Sequence, residues 1–297
     1  MDKCVNAFFL HQDEIKVSEE FETYNTSEGK SLYEVIRISD GIPIFLMDHL
    51  ERLQNSASIM KYNISITKNE IINRILKLIE KNNVQVGNLK LVFNYSRSDE
   101  SKATTNAINE RFLAYFIPHK YPSDQQYAEG VKTIIYHGER CNPNAKVINN
   151  SFREKVNEQI NNNNVYEAIL VDNDGFITEG SKSNIFMVKG STVVTSSVIN
   201  VLPGITRQFI IKTCEKLNIK FEEKNIQEKD LKFYDGLFIS GTSPNVLPIK
   251  SVNEVSFNSS KNSIINSIME GFNVELKDNK QKFVKYLENN TINRLNE

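Results

Sequence analysis

The stretch from Phe176 to Phe186 reads Phe-Ile-Thr-Glu-Gly-Ser-Lys-Ser-Asn-Ile-Phe. An apolar run, Ala168 to Val171, leads into the acidic turn Asp172-Asn173-Asp174-Gly175, and Phe176-Ile177 then resume the apolar pattern. That order predicts a strand, a turn and a return strand that ends at Glu179. The glycine after Glu179 lets the backbone approach something closely, and the small or amide side chains that follow can hydrogen-bond it. A carboxylate placed at such a strand end needs a positive partner.

Two other stretches have the chemistry to hold an anion. Leu202-Pro203-Gly204-Ile205-Thr206-Arg207 precedes apolar positions Phe209, Ile210, Thr213, Cys214 and Leu217 at helical spacing. A glycine turn that opens into a helix leaves the first amides unpaired at the positive end of the dipole. The same pattern also suits an ordinary capped helix. A predicted strand, Gly236 to Ser240, ends in the tight turn Gly241-Thr242-Ser243-Pro244-Asn245, rich in hydroxyls and amides. Arg52 lies beside Leu53 at the edge of the stripe Leu50, Leu53, Ala57 and Met60, where periodicity alone predicts a solvated or snorkelling arginine. Nothing in spacing separates Lys146 from Lys132 or Lys155.

The elements that must position these residues follow from periodicity. Ala7 to Leu10 predicts a short strand. Leu32 to Ile38 predicts a longer one, with Tyr33, Val35 and Arg37 on one face and Leu32, Glu34, Ile36 and Ile38 on the other. Asp40-Gly41 signals a hairpin into Ile42 to Leu46. Asp48 stands at the N-cap position of an amphipathic helix, and a second helix spans about Lys68 to Lys81. Strands are expected at Asn88 to Tyr95 and Phe112 to Ile117, separated by a long polar loop, Ser96 to Glu110. Prolines within Pro118 to Asp124 mark a boundary. Beyond it come a strand at Val131 to Tyr136, a helix at Ser151 to Asn162, the strands around Glu179, and an edge or irregular strand at Val246 to Ile249 that contains Pro248. The tail reads as helical from about Ser260 and again from Gln281.

At 297 residues the chain can hold two cores. The expected division is a small domain at 1–118, a linker at 119–126 and a larger domain at 127–297. A net charge of −1, from 36 basic and 37 acidic residues, provides no general attraction to nucleic acid or to an anionic membrane. No stretch approaches the roughly 20 apolar residues of a membrane span, and Met-Asp-Lys-Cys-Val-Asn lacks an apolar signal segment, so a cytoplasmic protein is expected. Cys4, Cys141 and Cys214 are far apart and without metal-type spacing, which predicts reduced thiols and no metal site.

The order of motifs resembles one family: the class IV aminotransferases of pyridoxal phosphate fold type IV. This group includes branched-chain and D-amino-acid aminotransferases and aminodeoxychorismate lyase. The resemblance runs from about Tyr33 to Pro248. It rests on Tyr33-Glu34-Val35-Ile36-Arg37, His49-Leu50-Glu51-Arg52-Leu53, Lys146-Val147-Ile148-Asn149, Thr178 to Phe186, Leu202 to Arg207, and Gly241-Thr242-Ser243. It implies an α+β enzyme with a small N-terminal α/β domain and a larger C-terminal domain of mixed sheet or barrel with helices.

The resemblance also implies roles. Lys146 matches the lysine that bonds the aldehyde of pyridoxal 5'-phosphate and later carries a proton between carbons. Glu179 matches the carboxylate that keeps the ring nitrogen protonated, which would make the pyridinium its positive partner. Arg52, the amides of Ile205 and Thr206, and the Thr242 hydroxyl match the phosphate site. Tyr33 matches a position that faces the substrate in the D-amino-acid enzymes, although a strand tyrosine also suits core or rim packing, and Ser243 of the Gly241-Thr242-Ser243 motif is a second substrate candidate. The implied partners are an amino acid, branched-chain-like in preference, a 2-oxo acid, and a second copy of the chain. A pyruvate-releasing lyase and a D-amino-acid aminotransferase are the alternatives. Departures bear on this choice: Ser151 replaces a tyrosine of branched-chain relatives. The loop Ser96 to Glu110 has only Arg97 where the D-amino-acid enzymes place an Arg-x-His pair, and Ser27 to Leu32 replaces the usual Gly-Asp-Gly wall.

Overall fold

A computed structural model describes residues 3–25, 28–97 and 108–295. The chain forms two compact units, one of residues 1–119 with 145–148 and the other of residues 120–144 with 149–297. The first unit holds β1 (Phe8–His11), β2 (Glu14–Val17), β3 (Lys30–Ser39), β4 (Ile42–Pro43), β5 (Val86–Arg97) and β6 (Ile108–Ile117). Its helices are α1 (Phe21–Tyr24), α2 (Leu46–Ile59) and α3 (Lys68–Lys81). The strands make one antiparallel sheet in the order β2-β1-β6-β5-β3-β4.

Strand alternation sorts the site residues before any packing does. Tyr33 joins Phe9, Phe21, Val92, Leu113 and Tyr115 in a core on one face of the sheet. Glu34, the next residue of β3, turns to the other face and meets α2. The span of α3 is the predicted one: Ile71, Ile72, Ile75, Leu78 and Ile79 are buried. The Thr67 hydroxyl accepts the Glu70 amide at 3.3 Å while the Glu70 carboxylate accepts the Thr67 amide at 2.9 Å.

Three expectations in this unit change. The strand expected at Ile42 to Leu46 ends at Pro43, and the buried residues Ile44, Phe45 and Leu46 lead into α2 instead. A short apolar run suits a buried strand and a buried helix start equally, so periodicity could not separate them. Asp48 is accordingly in the first turn, and Phe45 occupies the cap at φ 53°. The long polar loop is shorter than expected, because Tyr95, Ser96 and Arg97 pair with Glu110, Asn109 and Ile108. A strand ladder needs only backbone groups, so polar side chains at its end do not stop it. The rest of that stretch, 98–107, lies outside the described residues, as does Ser27.

The second unit holds β7 (Val131–His137), β8 (Glu167–Val171), β9 (Phe176–Gly180), β10 (Asn184–Lys189), β11 (Thr192–Thr195) and β12 (Lys220–Glu223). It continues with β13 (Ile226–Gln227), β14 (Gly236–Gly241), β15 (Asn245–Val252) and β16 (Val255–Ser256). Its helices are α4 (Asp124–Glu129), α5 (Asn150–Asn162), α6 (Ile205–Lys216) and α7 (Ser263–Leu295). The sheet is mixed and curled, in the order β12-β11-β10-β14-β15-β7-β8-β9-β13 with β16 on β15. Its core is aliphatic, drawn from Ile169, Val171, Ile185, Met187, Leu237, Ile239, Leu247 and Ile249 among others.

Pro248 does not put β15 at an edge; the strand lies between β14 and β7. Its pairing with β7 starts at Ile249, one residue past the proline, and a register shift follows before Ser251. The missing amide therefore falls where no β7 partner has yet begun. The tail is one helix, α7, rather than two.

Truncating Ile75, which is fully buried, should lower unfolding free energy by about 2–5 kcal/mol. Thr67→Ala should cost about 1 kcal/mol through the lost cap. Guanidinium denaturation followed by circular dichroism checks both, and equal losses for the two would contradict this account of α3.

Candidate active site

In the first unit the site is built around a carboxylate that water cannot reach. Glu34 on β3 is fully buried, and α2 answers it with two side chains one turn apart, His49 and Arg52, which are nearly as buried. Arg52 grips the carboxylate with both prongs, Nε to Oε1 at 2.8 Å and Nη2 to Oε2 at 2.6 Å. His49 Nδ1 lies 2.7 Å from Oε2; an ionised carboxylate only accepts, so that nitrogen carries the proton. Burial by itself would raise the Glu34 carboxyl, but the charge and hydrogen bonds of Arg52, with the hydrogen bond from His49, hold it well below the usual range. Burial pushes the His49 imidazole down, with the charges of Arg52 and Lys146 acting the same way against the pull of Glu34. Arg52 is thus neither solvated nor snorkelling, because Glu34 fixes its guanidinium inside the unit.

Lys146 lies on a short segment pinned to the same two elements. Val147 bridges Leu32, the Tyr33 amide donates to the Lys146 carbonyl at 3.0 Å, and the Ile148 amide donates to the Ser31 carbonyl at 3.0 Å. The Lys146 amide donates to Ser56 Oγ on α2 at 3.2 Å. With its backbone held on both sides, the side chain lies over Tyr33, Nζ 4.6 Å from the ring centroid. The face that Tyr33 occupies also carries Asn88, Lys90, Val92 and Asn94, all buried. The Lys90 ammonium lies 5.2 Å from the Tyr33 ring centre and 5.9 Å from that of Tyr115. Alternation along β5 groups these four residues, but nothing in the sequence marks Lys90 individually, and the motif that contains Glu34 does not say which residues meet it.

In the second unit Glu179 is 3% exposed at the end of β9. Its carboxylate accepts Arg140 Nη1 at 2.8 Å, the Leu202 amide at 3.1 Å and Asn184 Nδ2 at 3.4 Å. Arg140 has no motif or periodic signal in the sequence. Asn184 also donates to the Leu202 carbonyl at 2.9 Å, so it ties Glu179 to the segment that opens α6. That segment has no room for a side chain at Gly204: an added Cβ would sit 2.0 Å from Asn184 Oδ1, on an amide that the Nδ2 hydrogen bonds to Glu179 and Leu202 hold in place. The α6 N-terminus, with buried Ile205 and Thr206, has no side-chain cap. Arg207 in its first turn is committed elsewhere, to Glu223 at 3.0 Å and the Ser196 carbonyl at 3.3 Å. Thr242 and Ser243 lie in the turn between β14 and β15, and the buried Ser240 Oγ just before them has no hydrogen-bond partner among the described residues. Ser151 is exposed and bonded to Asn149, the cap of α5.

Each unit carries a donor set whose chemistry suits part of a phosphorylated pyridine aldehyde. In the first, a half-buried lysine amine held by its own backbone and a preformed guanidinium suit an aldehyde and a phosphate. In the second, an uncapped helix start and a buried hydroxyl with no partner among the described residues suit a phosphate, and a dry carboxylate suits a protonated ring nitrogen.

The Glu34 cluster makes stability depend on pH in two windows. The folded His49 resists protonation that the unfolded chain accepts below about pH 6.5, so stability should decline as pH falls from there. The depressed Glu34 carboxyl contributes stability that is present above about pH 4.5 and is lost as pH falls toward its folded value. Melting temperatures between pH 8 and 3 check this: His49→Gln should flatten the first window and leave the second.

A family model for class IV amino-transferases matches residues 31–252. The chain is 28% identical over 254 residues to D-alanine aminotransferase from Bacillus licheniformis, covering 85% of this chain and 88% of that one. It is 30% identical over 253 residues to a protein from Methanocaldococcus jannaschii provisionally named a branched-chain-amino-acid aminotransferase, covering 82% and 85%. Its fold matches that of the Escherichia coli branched-chain amino acid aminotransferase with a TM-score of 0.81 at 21% identity, over 91% of this chain and 95% of that one. With most of the chain matched by the family model and by a relative of near-equal span, this protein belongs to the class IV aminotransferases, enzymes that use pyridoxal 5'-phosphate.

Proposed function

We propose that this enzyme exchanges an amino group between a branched-chain-like amino acid and a 2-oxo acid. The observation that carries the reading is Lys146, whose backbone is hydrogen-bonded to β3 and α2 and whose amine lies over Tyr33. Pyridoxal phosphate, when bound, supplies the aldehyde that receives the amino group and a ring that accepts electrons from the substrate α-carbon. Lys146 Nζ holds that aldehyde and then carries the proton between carbons. Glu179 keeps a proton on the ring nitrogen, a task its burial beside Arg140 and Asn184 supports. The Arg52 guanidinium, the Ile205 and Thr206 amides and the Thr242 hydroxyl hold the phosphate, and the unsatisfied Ser240 hydroxyl is a further candidate donor.

Tyr33 and Ser243 face the substrate in this reading. No helix among the described residues is long and apolar enough to cross a membrane, and the net charge is near zero. We infer a cytoplasmic enzyme that works as a homodimer; sedimentation of a fully active monomer would contradict the latter.

The decisive test is an amino-donor screen with both enantiomers, followed by cofactor absorbance. Branched-chain donors and glutamate should convert the cofactor to its amine form, and Lys146→Ala should show neither conversion nor a lysine-dependent band. Conversion by D-alanine alone would move the assignment to D-amino acids, and pyruvate release without an oxo acid would move it to the lyase.

A further inference from the structure

Glu167 is the first residue of β8, in a strand whose five residues are all buried. A carboxylate at 4% exposure is costly unless donors meet it, and burial raises its proton affinity. The donors that meet it come from one tight turn. The Lys182 amide donates to Oε1 at 2.6 Å, and the Ser181 hydroxyl donates to the same oxygen at 3.3 Å. Gly180 completes the contact by having no side chain, because a Cβ there would lie 2.7 Å from Oε1 and 2.2 Å from Ser183 Oγ.

The turn is the short link between Glu179 and Asn184. Regular pairing of β8 with β9 breaks between Ile169 and Val171. Beyond that break the Ser181 amide donates to the Ala168 carbonyl at 2.9 Å and the Gly180 amide to the Ser183 carbonyl at 2.8 Å. Where the ladder loses its register, the Glu167 carboxylate takes over as the element that holds the turn. A shift of the turn would move Glu179 from one side and Asn184 from the other, and the bond between these two is already long at 3.4 Å. We propose that Glu167 is a positioning residue: it clamps the turn at 180–183 and thereby orients Glu179 and Asn184 toward the cofactor ring nitrogen. The proposal rests on the assignment of Glu179 made above, and its test must separate the two.

The test uses apoenzyme reconstituted with pyridoxal phosphate labelled with nitrogen-15, read by the ring-nitrogen chemical shift and by the cofactor dissociation constant. Glu167→Ala should move the shift toward that of an unprotonated pyridine and weaken cofactor binding by about tenfold or more, the scale of one lost hydrogen bond to a charged group. Gly180→Ala, which keeps the carboxylate and displaces the turn, should do the same. Glu167→Gln, which keeps an acceptor for the Lys182 amide, should stay near the wild type. A wild-type shift and affinity in both Glu167→Ala and Gly180→Ala would overturn the clamp. If Glu167→Ala does not fold, Gly180→Ala and Glu167→Gln still decide it. Glu179→Ala tests the underlying assignment by itself: an unchanged shift in that variant removes the ring-nitrogen role, and the clamp's purpose with it.

Discussion

A carboxylate taken out of water must be met by donors, and this protein meets that constraint at Glu34, Glu179 and Glu167 in three different ways. Glu34 is met by a forked guanidinium and an imidazole. Glu179 is met by a guanidinium, a side-chain amide and a backbone amide. Glu167 is met chiefly by the backbone and hydroxyl of a turn. Each solution fixes more than the carboxylate. The Glu34 cluster locks Arg52 so that its charge points one way, the Glu179 cluster ties β9 to the opening of α6, and Glu167 ties the same carboxylate's turn to β8.

Fixing these groups in advance is what an electrostatic site requires. A guanidinium on a free side chain would have to lose rotamer freedom when an anion arrives, whereas Arg52 has already lost it on folding. The α6 N-terminus works in the same way. Gly204 excludes a side chain, Arg207 anchors the first turn to Glu223 and Ser196, and the leading amides are left without a cap. Lys146 is held by its backbone while its side chain lies over an aromatic face.

Much of the fold was legible because it depends on local pattern. The stripe and cap that define α3 lie within one stretch of sequence, and so does the alternation that separates Tyr33 from Glu34. What was misread involved runs whose state depends on distant partners. Ile44 to Leu46 is apolar enough for a strand or a helix start, and the β5–β6 ladder continues through polar residues because it pairs backbones. Pro248 signalled an edge or irregular strand; the irregularity is present as a register shift between Ile249 and Ser251, but the edge is not, because the offset between the start of β7 and the proline cannot be seen in one strand. Of the site, the motif residues stood out, Glu34 among them but with no partner assigned, while Arg140 and Glu167 did not. A charged residue earns its role here from whom it faces, and spacing along the chain does not record that.

The sequence alone determined that a carboxylate ends a strand before a close-approach glycine, that a glycine turn opens a helix, and that the six motifs follow one family's order. Those are properties of neighbouring residues, and neighbours are what a chain specifies directly. Only the tertiary structure decided that Arg52 is held by Glu34 rather than by solvent, and that residues 145–148 pack with the first unit although the chain on both sides belongs to the second. The reason is the same for both. A backbone bridge from Val147 to Leu32 and an ion pair from Arg52 to Glu34 join positions far apart in sequence, and such partners are chosen by packing and by the need to satisfy buried polar groups.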